Sequence, residues 1–313
     1  MLNYVIRRIL ATIPVMAVVA LFVFSLLYIA PGDPAAVIAG DQATPADVER
    51  IRVSLGLDRP FLIRFGEWGW QILHGDLGTS IFTNLPVAVM IAQRIEPTLS
   101  LMAVTLALAV TVAVPIGVVA AWRADTIIDR AIMAFAVLGF SVPVFVIGYI
   151  LAYVFALELD WLPVQGYTPL AEGVEPWITN LILPALALGC VYIALIARTT
   201  RAAMLEVLQQ DYIRTARAKG IGQVGLLFVH ALKNAAVPIV TVIGIGMALL
   251  IGGAVVTETV FAIPGIGRLT VDAILRRDYP VIQGVVLLFS FVYVVVNLLV
   301  DLTYTVLDPR IRY

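Results

Sequence analysis

Few residues of this chain are of the types that carry out catalysis or bind metal ions. The sequence has two histidines, His74 and His230, and one cysteine, Cys190. A lone cysteine cannot form an intramolecular disulfide or a cysteine cluster for a metal. The histidines are separated by three long apolar stretches and are predicted on opposite sides of a membrane, and no Ser/His/Asp arrangement is suggested. We therefore predict no catalytic residue and no metal-binding residue in this chain.

The usual motif for binding nucleotide phosphates is also missing. No Gly-x-x-x-x-Gly-Lys-[Ser/Thr] segment occurs in the sequence, so nothing in it is suited to cradle the phosphates of ATP. Gly244 and Gly246 form a Gly-x-Gly pair, but they lie in an apolar run, where small residues are typical of helix packing. The sequence predicts no cofactor in this chain, and energy for its work must come from partner subunits.

The chain as a whole is predicted to consist of membrane-spanning helices and the loops that join them. Hydrophobic residues make up 61% of the 313 residues and charged residues only 13%, whereas an ordinary globular chain is about 25% charged. Six charge-free apolar stretches are each near the ~20 residues that cross a bilayer, and lipid forces such segments to be helical. The six predicted spans are residues 9–30, 99–121, 131–157, 178–197, 235–257 and 281–300.

The first span has a second interpretation, and the overall charge bears on the choice of partner. The first stretch follows Arg7 and Arg8 as in a signal peptide, but its 22 residues exceed the roughly 7–15 of a signal h-region. We predict a retained membrane anchor. The net charge of -1 argues neither for nor against nucleic acid as a partner, whereas the sequence pI of about 6.1 shows no overall basic footprint of the kind that nucleic-acid binding requires. We expect membrane lipid, and no nucleic acid, among the partners.

The orientation follows from the lysines and arginines in the loops, because an excess of these residues marks the cytoplasmic side. The two termini, the loop after the second span and the loop at 198–234 together hold twelve of them. The loop at 158–177 has none and the loop at 258–280 has three. The loop at 31–98 is longer than the loops of up to about 60 residues for which this rule is reliable. Both termini are therefore predicted to be cytoplasmic.

The long outer loop, residues 31–98, contains signals for two short helices. Thr44 and Pro45 are typical of a helix start and Asp47 of a first turn, whereas Gly56 suits a helix end. A second start signal follows at Pro60.

The second of these helices is predicted to be amphipathic. Phe61, Phe65, Trp68 and Ile72 fall on one face at spacings of four, three and four residues, as in an amphipathic helix. Such a helix either lies in the membrane interface or packs on the outer surface of the protein itself, and the sequence leaves both open.

The cytoplasmic loop at 198–234 carries six basic against two acidic residues. Within it, three- and four-residue spacings predict a short helix with small residues, Ala216 and Gly220, on one face. Gly220 is also suited to end that helix in a left-handed conformation. The positive charge of this loop by itself needs no functional explanation, because cytoplasmic loops generally have an excess of lysine and arginine.

The ordered motifs of this chain resemble those of peptide/nickel-type permeases of ATP-binding-cassette importers, specifically the first permease of the usual pair. The motifs that carry the resemblance run from end to end: Ala30-Pro-Gly-Asp-Pro34, Gly56-Leu-Asp-Arg-Pro60, Gly75-Asp-Leu-Gly-Thr-Ser80, Ser141-Val-Pro-Val-Phe145, residues 211–220, His230-Ala-Leu-Lys-Asn-Ala235 with Pro238, Glu258-Thr-Val-Phe261 with Pro264-Gly-Ile-Gly267, Arg277-Asp-Tyr-Pro280 and Asp308-Pro-Arg310.

The resemblance implies an all-α integral membrane protein with six transmembrane helices and the type I ABC importer permease fold. Its regions would be 1–30 (N-terminus and first span), 31–98 (extracytoplasmic loop with short helices) and 99–313 (permease core with the cytoplasmic coupling loop 198–234). The implied location is the bacterial inner membrane. The implied partners are a homologous second permease, two ATPase subunits that bind ATP and Mg, and an extracytoplasmic solute-binding protein.

The resemblance also implies a helix that docks into a groove of an ATPase subunit. Its residues would be Asp211, Tyr212, Arg214, Thr215, Ala216, Arg217, Ala218, Lys219 and Gly220. The family signature is Glu-Ala-Ala, three residues, then Gly. Ala216 and Gly220 match the second Ala and the Gly, whereas Arg214 and Thr215 replace the Glu and the first Ala.

The expected cargo is a di- or oligopeptide, and nickel chelates, glutathione, opine-like or other small solutes remain open. The residues that bind the substrate are unknown.

Two other classes of membrane protein fit this sequence less well. An ion-coupled secondary transporter typically has ionisable residues inside its spans, and an intramembrane enzyme needs catalytic polar residues there. The predicted spans are charge-free and offer only hydroxyls, Asn180, Gln283 and Asn297.

Overall fold

A computed structural model describes residues 2–29, 33–39, 43–54 and 56–307. These residues form helices and connecting segments, and no β-strand occurs among them. Five helices are long and apolar enough to cross a membrane, and a bent helix pair supplies a sixth candidate. The all-helical membrane fold is confirmed. The motif at 308–310 and residues 30–32 of the first motif lie outside the described residues.

The long helices are α1 (Leu2–Ile29), α5 (Val87–Trp122), α8 (Val174–Leu208), α11 (Ala236–Val260) and α13 (Tyr279–Leu307). The bent pair is α6 (Ile127–Ser141) and α7 (Val144–Leu151), and α7 continues as a π-helical segment, Ala152–Glu158. The shorter helices are α2 (Pro34–Ala39), α3 (Pro45–Ser54), α4 (Phe61–Leu73), a 3₁₀ turn (Leu170–Glu172), α9 (Asp211–Ala218), a π-helical turn (Gly225–Ala231), α10 (Leu232–Asn234) and α12 (Ile266–Arg276).

The third span, predicted as one continuous helix over 131–157, is broken. Its two helices meet at an angle of 102°. Val142 is extended, with ψ at 129°, and Pro143 follows with ψ at 138°. Proline lacks a backbone N–H and disfavours a helical conformation in the residue before it. The second span also differs, because α5 begins at Val87 rather than at Leu99.

The described residues fall into two compact units, one within Met1–Ile95 and Leu269–Val294 and the other within Glu96–Arg268 and Val295–Tyr313. In the first unit, α4 packs on α1. The Phe24 ring lies 5.1 to 5.5 Å from the rings of Phe61, Phe65 and Trp68, which are three of the four residues of the predicted apolar face. The choice left open by the sequence is settled for this face, since it lies against the protein itself.

The start of α3 follows its sequence signal. The Thr44 hydroxyl donates to a carboxylate oxygen of Asp47 at 2.6 Å, and the Asp47 carboxylate also accepts from the Thr44 backbone N–H at 3.0 Å. The Asp47 N–H in turn donates to the Thr44 hydroxyl oxygen at 3.3 Å, and with the bond from the Thr44 N–H this completes a capping box. The Thr44 hydroxyl is the main reason that the pKa of Asp47 lies below its usual value.

In the second unit, α8 packs against α6, α7 and α11. Leu188, Tyr192 and Ile196 of α8 belong to the buried core. The predicted packing role of Gly244 is confirmed, because a Cβ there would lie 2.2 Å from Val300. A Cβ at Gly246 would lie 3.3 Å from the ring of Tyr192. Close helix contacts therefore explain the Gly-x-Gly pair.

Candidate functional site

The short helix predicted in the loop 198–234 is present as α9, Asp211–Ala218. One face of α9 is buried, with Ile213 1% exposed and Ala216 8% exposed. These two side chains belong to an apolar cluster with Met204 of α8 and Leu226 and Leu227 of the next turn. This cluster packs α9 against α8 and the segment that follows α9. Ala216 therefore packs inside the protein and is not available to contact a partner.

The end of α9 has the geometry expected from Gly220. The Gly220 N–H donates to the carbonyl of Arg217 at 3.0 Å, and the Ile221 N–H donates to the carbonyl of Ala216 at 3.3 Å. These bonds form a Schellman motif. Gly220 has φ at +81°, and no atom lies within 4 Å of the place where its Cβ would be. The backbone conformation, rather than close packing within this chain, requires glycine here.

The opposite face of α9 is open to solvent. Its exposed residues are Asp211, Tyr212, Arg214, Thr215, Arg217, Ala218 and Lys219. Asp211 and Arg214 form one exposed ion pair at 3.4 Å. Arg217 and Lys219 add two further positive charges. The structure thus divides the predicted site into a buried anchor (Ile213 and Ala216) and an exposed, mainly basic surface, which we call the α9 surface.

A partly buried ion pair fixes the helix that leads into α9. The guanidinium of Arg201 in α8 donates to both carboxylate oxygens of Asp129 in α6, each at 2.6 Å. Asp129 is 3% exposed, and it also accepts from the Asp125 N–H at 3.0 Å. Such a two-pronged contact sets orientation as well as distance. One signal in the sequence points to it, a carboxylate in the first turn of α6.

A second buried carboxylate organises the far end of α11. Glu258 is fully buried. It accepts from the Thr98 hydroxyl at 2.6 Å and from the Arg268 N–H, near the start of α12, at 2.9 Å. Thr98 in turn accepts from the Ile266 N–H at 2.8 Å. The carboxylate thereby satisfies one backbone donor near the N-terminus of α12, where negative charge is favoured, and the Thr98 hydroxyl satisfies another.

The glycines that follow make room for this carboxylate. A Cβ at Gly265 would lie 2.3 Å from Glu258, and a Cβ at Gly267 would lie 2.6 Å from the backbone of Val255. The two motifs Glu258-Thr-Val-Phe261 and Pro264-Gly-Ile-Gly267 are therefore parts of one structural unit.

Two other sequence motifs also meet in the structure. Ser80, the last residue of Gly75-Asp-Leu-Gly-Thr-Ser80, contacts Asp278 of Arg277-Asp-Tyr-Pro280. A Cβ at Gly78 would lie 3.8 Å from Pro280.

Comparison with known proteins gives consistent matches over the whole chain. The family described as "Binding-protein-dependent transport system inner membrane component" matches residues 113–313, and the N-terminal family of the same transport systems matches residues 1–102. The chain is 58% identical over 310 residues, 99% of each chain, to the probable peptide ABC transporter permease protein y4tP of Sinorhizobium fredii. It is 45% identical to the glutathione transport system permease protein GsiC of Pectobacterium atrosepticum, over 314 residues and 100% of each chain.

A solved structure has a similar fold. A chain of the inward-facing MetNI methionine ABC transporter superposes with a TM-score of 0.57 at 17% identity, and the match covers 70% of this chain and 96% of the other.

Proposed function

This chain belongs to the family of inner membrane components of binding-protein-dependent transport systems, and from that premise we propose that it is a permease subunit of an ATP-driven importer of small peptides. It is a multi-pass protein of the inner membrane. The relative named as a peptide permease, at 58% identity over nearly the full length, supports di- or oligopeptides as the cargo. The relative named for glutathione, at 45% identity, makes that small peptide the second candidate.

The proposed partners follow from the same premise. Two ATPase subunits bind ATP and Mg and supply the energy, a homologous second permease completes the translocation path, and an extracytoplasmic protein delivers the cargo. The segment at 31–98 and the segment at 258–280 form much of the platform for that binding protein. This chain contributes no catalytic residue.

The observation that carries the coupling role is the two-sided structure of α9. Its apolar side is packed in the core through Ile213 and Ala216. A displacement of α9 would therefore also displace α8 and the segment that leads into α11. Its other side presents Tyr212, Arg217 and Lys219 to solvent. We propose that the α9 surface is seated in a cleft of one ATPase subunit.

Charge reversal on the α9 surface tests this role. Arg217→Glu and Lys219→Glu leave the buried anchor unchanged and should each reduce ATPase association, or transport per ATP hydrolysed, by about tenfold, since loss of one interface anchor costs ~1.4 kcal/mol or more. The measurements are co-purification of the ATPase subunits and peptide uptake in proteoliposomes. Arg123→Glu, exposed on another loop, is the matched control. Normal assembly and coupled uptake in both α9 variants would remove α9 from the coupling mechanism.

The proposed orientation places both termini and α9 in the cytoplasm and the segment at 160–175 outside. Cysteines introduced singly at Glu172 and Gln209, which are exposed, in a Cys190→Ser background allow a direct test. An impermeant thiol reagent added to intact cells should label position 172 and not position 209. The reverse labelling pattern would invert the orientation.

A further inference from the structure

A cavity of about 350 Å³ lies in the unit that contains α1, α4 and the start of α13. Phe24 lines it near the end of α1, and Tyr279 and Gln283 line it in the first turns of α13. Since α1 ends at Ile29 and α13 begins at Tyr279, the cavity lies at the level where these spans end. That level is the interface between the hydrocarbon core and the headgroups of the bilayer.

The polar lining of the cavity has a definite charge pattern. Arg59, Arg64 and Glu67 all line it. The Nε atoms of Arg59 and Arg64 lie 3.9 and 3.8 Å from the same point, the place of a Cβ on Gly56, so both arginine side chains pass close to one position in the cavity wall. Arg59 contacts Glu67 through its Nη1 atom at 2.9 Å. Paired guanidinium groups are the side chains best suited to bind phosphate.

The surroundings of the cavity are apolar and aromatic. Arg64 lies against the ring faces of Phe24 and Tyr28 at 5.6 and 5.5 Å, and Trp68 forms part of the cavity wall. On the other side of α4, Leu62 is 76% exposed, Trp70 66% and Leu73 81%. Such a face on a helix, with tryptophan among its residues, is typical of a helix in the membrane interface. One side of α4 thus packs on α1 while the other is suited to lipid.

We propose that this cavity binds the headgroup of a membrane phospholipid. The phosphate contacts the guanidinium groups of Arg59 and Arg64, and Glu67 keeps Arg59 in place through its two carboxylate oxygens. The acyl chains run along the exposed apolar side of α1, where Leu21 and Phe22 are exposed. A free phosphoryl compound has the same anionic group, but it gives no role to the exposed apolar residues beside the cavity. This inference requires the membrane location and is independent of the cargo and of α9.

Native mass spectrometry of the assembled transporter, stripped of loosely bound lipid and titrated with phosphatidylglycerol, tests the site. The wild-type complex should retain a lipid that Arg59→Gln loses, with at least a tenfold weaker apparent affinity, the factor expected from one lost charge-assisted hydrogen bond. Arg50→Gln is the matched control, because Arg50 is an exposed arginine of α3 that pairs with Asp47 outside the cavity. Equal lipid retention by the wild type and both variants would overturn the proposal.

Competition distinguishes lipid from a soluble ligand. Inorganic phosphate and glycerol 3-phosphate, each at millimolar concentration, should leave the bound phospholipid in place, since neither has an apolar portion to bury. Displacement of the lipid by either compound would assign the cavity to a free phosphoryl ligand and overturn the lipid assignment. The unfolding midpoint of Arg59→Gln should equal that of Arg50→Gln, and a lower midpoint would attribute the lipid loss to misfolding and overturn the direct contact.

Discussion

Ser80 donates a hydrogen bond of 2.5 Å to the carboxylate of Asp278, although 198 residues separate them in sequence. Both side chains are buried, with Ser80 1% and Asp278 4% exposed. The same carboxylate accepts from the Ile81 N–H at 3.3 Å. Two segments that flank different spans are thereby joined into one structural unit, which the proposed binding-protein platform requires.

Removal of this hydroxyl should destabilise the unit. Ser80→Ala leaves the buried carboxylate with one fewer donor, a change that costs about 1–3 kcal/mol. The expected result is a lower midpoint of thermal unfolding for the purified complex. Thr79→Ala, at the exposed neighbouring position, should leave the midpoint unchanged. If the two variants unfold at the same temperature, the Ser80–Asp278 bond contributes little.

The Arg201–Asp129 pair predicts a graded series. Arg201→Gln leaves a buried carboxylate without its cation and should cost about 3 kcal/mol. Arg201→Lys should fall between this variant and the wild type, because an ammonium cannot make the two parallel hydrogen bonds of a guanidinium. Thermal unfolding and the yield of folded protein measure both. Arg198→Gln, one helical turn away and exposed, is the control, and an equal loss there would assign the effect to charge in general.

The glycines beside Glu258 predict a steric effect. Gly265→Ala places a methyl group 2.3 Å from the buried carboxylate, so the start of α12 must move, and overpacking of this kind costs about 1–3 kcal/mol or more. Gly252→Ala in α11 meets open space and should be neutral or slightly stabilising. Folded yield and the unfolding midpoint distinguish the two. A Gly265→Ala protein of wild-type stability would contradict the close contact.

The left-handed conformation at Gly220 predicts local fraying of α9. Gly220→Ala should cost about 1–2 kcal/mol, whereas Gly220→Asn should cost less because asparagine tolerates this conformation. Hydrogen–deuterium exchange of the α9 amides should accelerate roughly 5- to 30-fold in the alanine variant. Gly222→Ala, also facing open space but without a positive φ, should leave exchange unchanged. Equal exchange in the Gly220→Ala and Gly222→Ala proteins would contradict a conformational role.

The sequence predicted features that depend on neighbouring residues. The start of α3 at Pro45, the apolar face of α4 and the left-handed Gly220 each follow from a local pattern, and each is confirmed. The sequence does not tell the buried face of α9 from its exposed face, because the family signature marks Ala216 and Gly220 in the same way. The structure shows that Ala216 is small because it packs in the apolar cluster, whereas Gly220 is required by its backbone conformation.

The features that the sequence did not reveal depend on distant residues. Asp129 pairs with a residue 72 positions away, and Glu258 bonds a residue 160 positions away. Both carboxylates lie just beyond the charge-free stretches, so the apolar runs that predict the spans do not include them. Hydropathy does not reveal the bend at Pro143 either, because it measures the composition of a segment and not the direction of its backbone.

The bend at Pro143 limits what can surround it. Where a helix stops and restarts, backbone groups at the two ends lose their intrahelical partners, and hydrocarbon cannot replace them. The 102° turn between α6 and α7 must therefore face hydrating water or a neighbouring polypeptide rather than acyl chains.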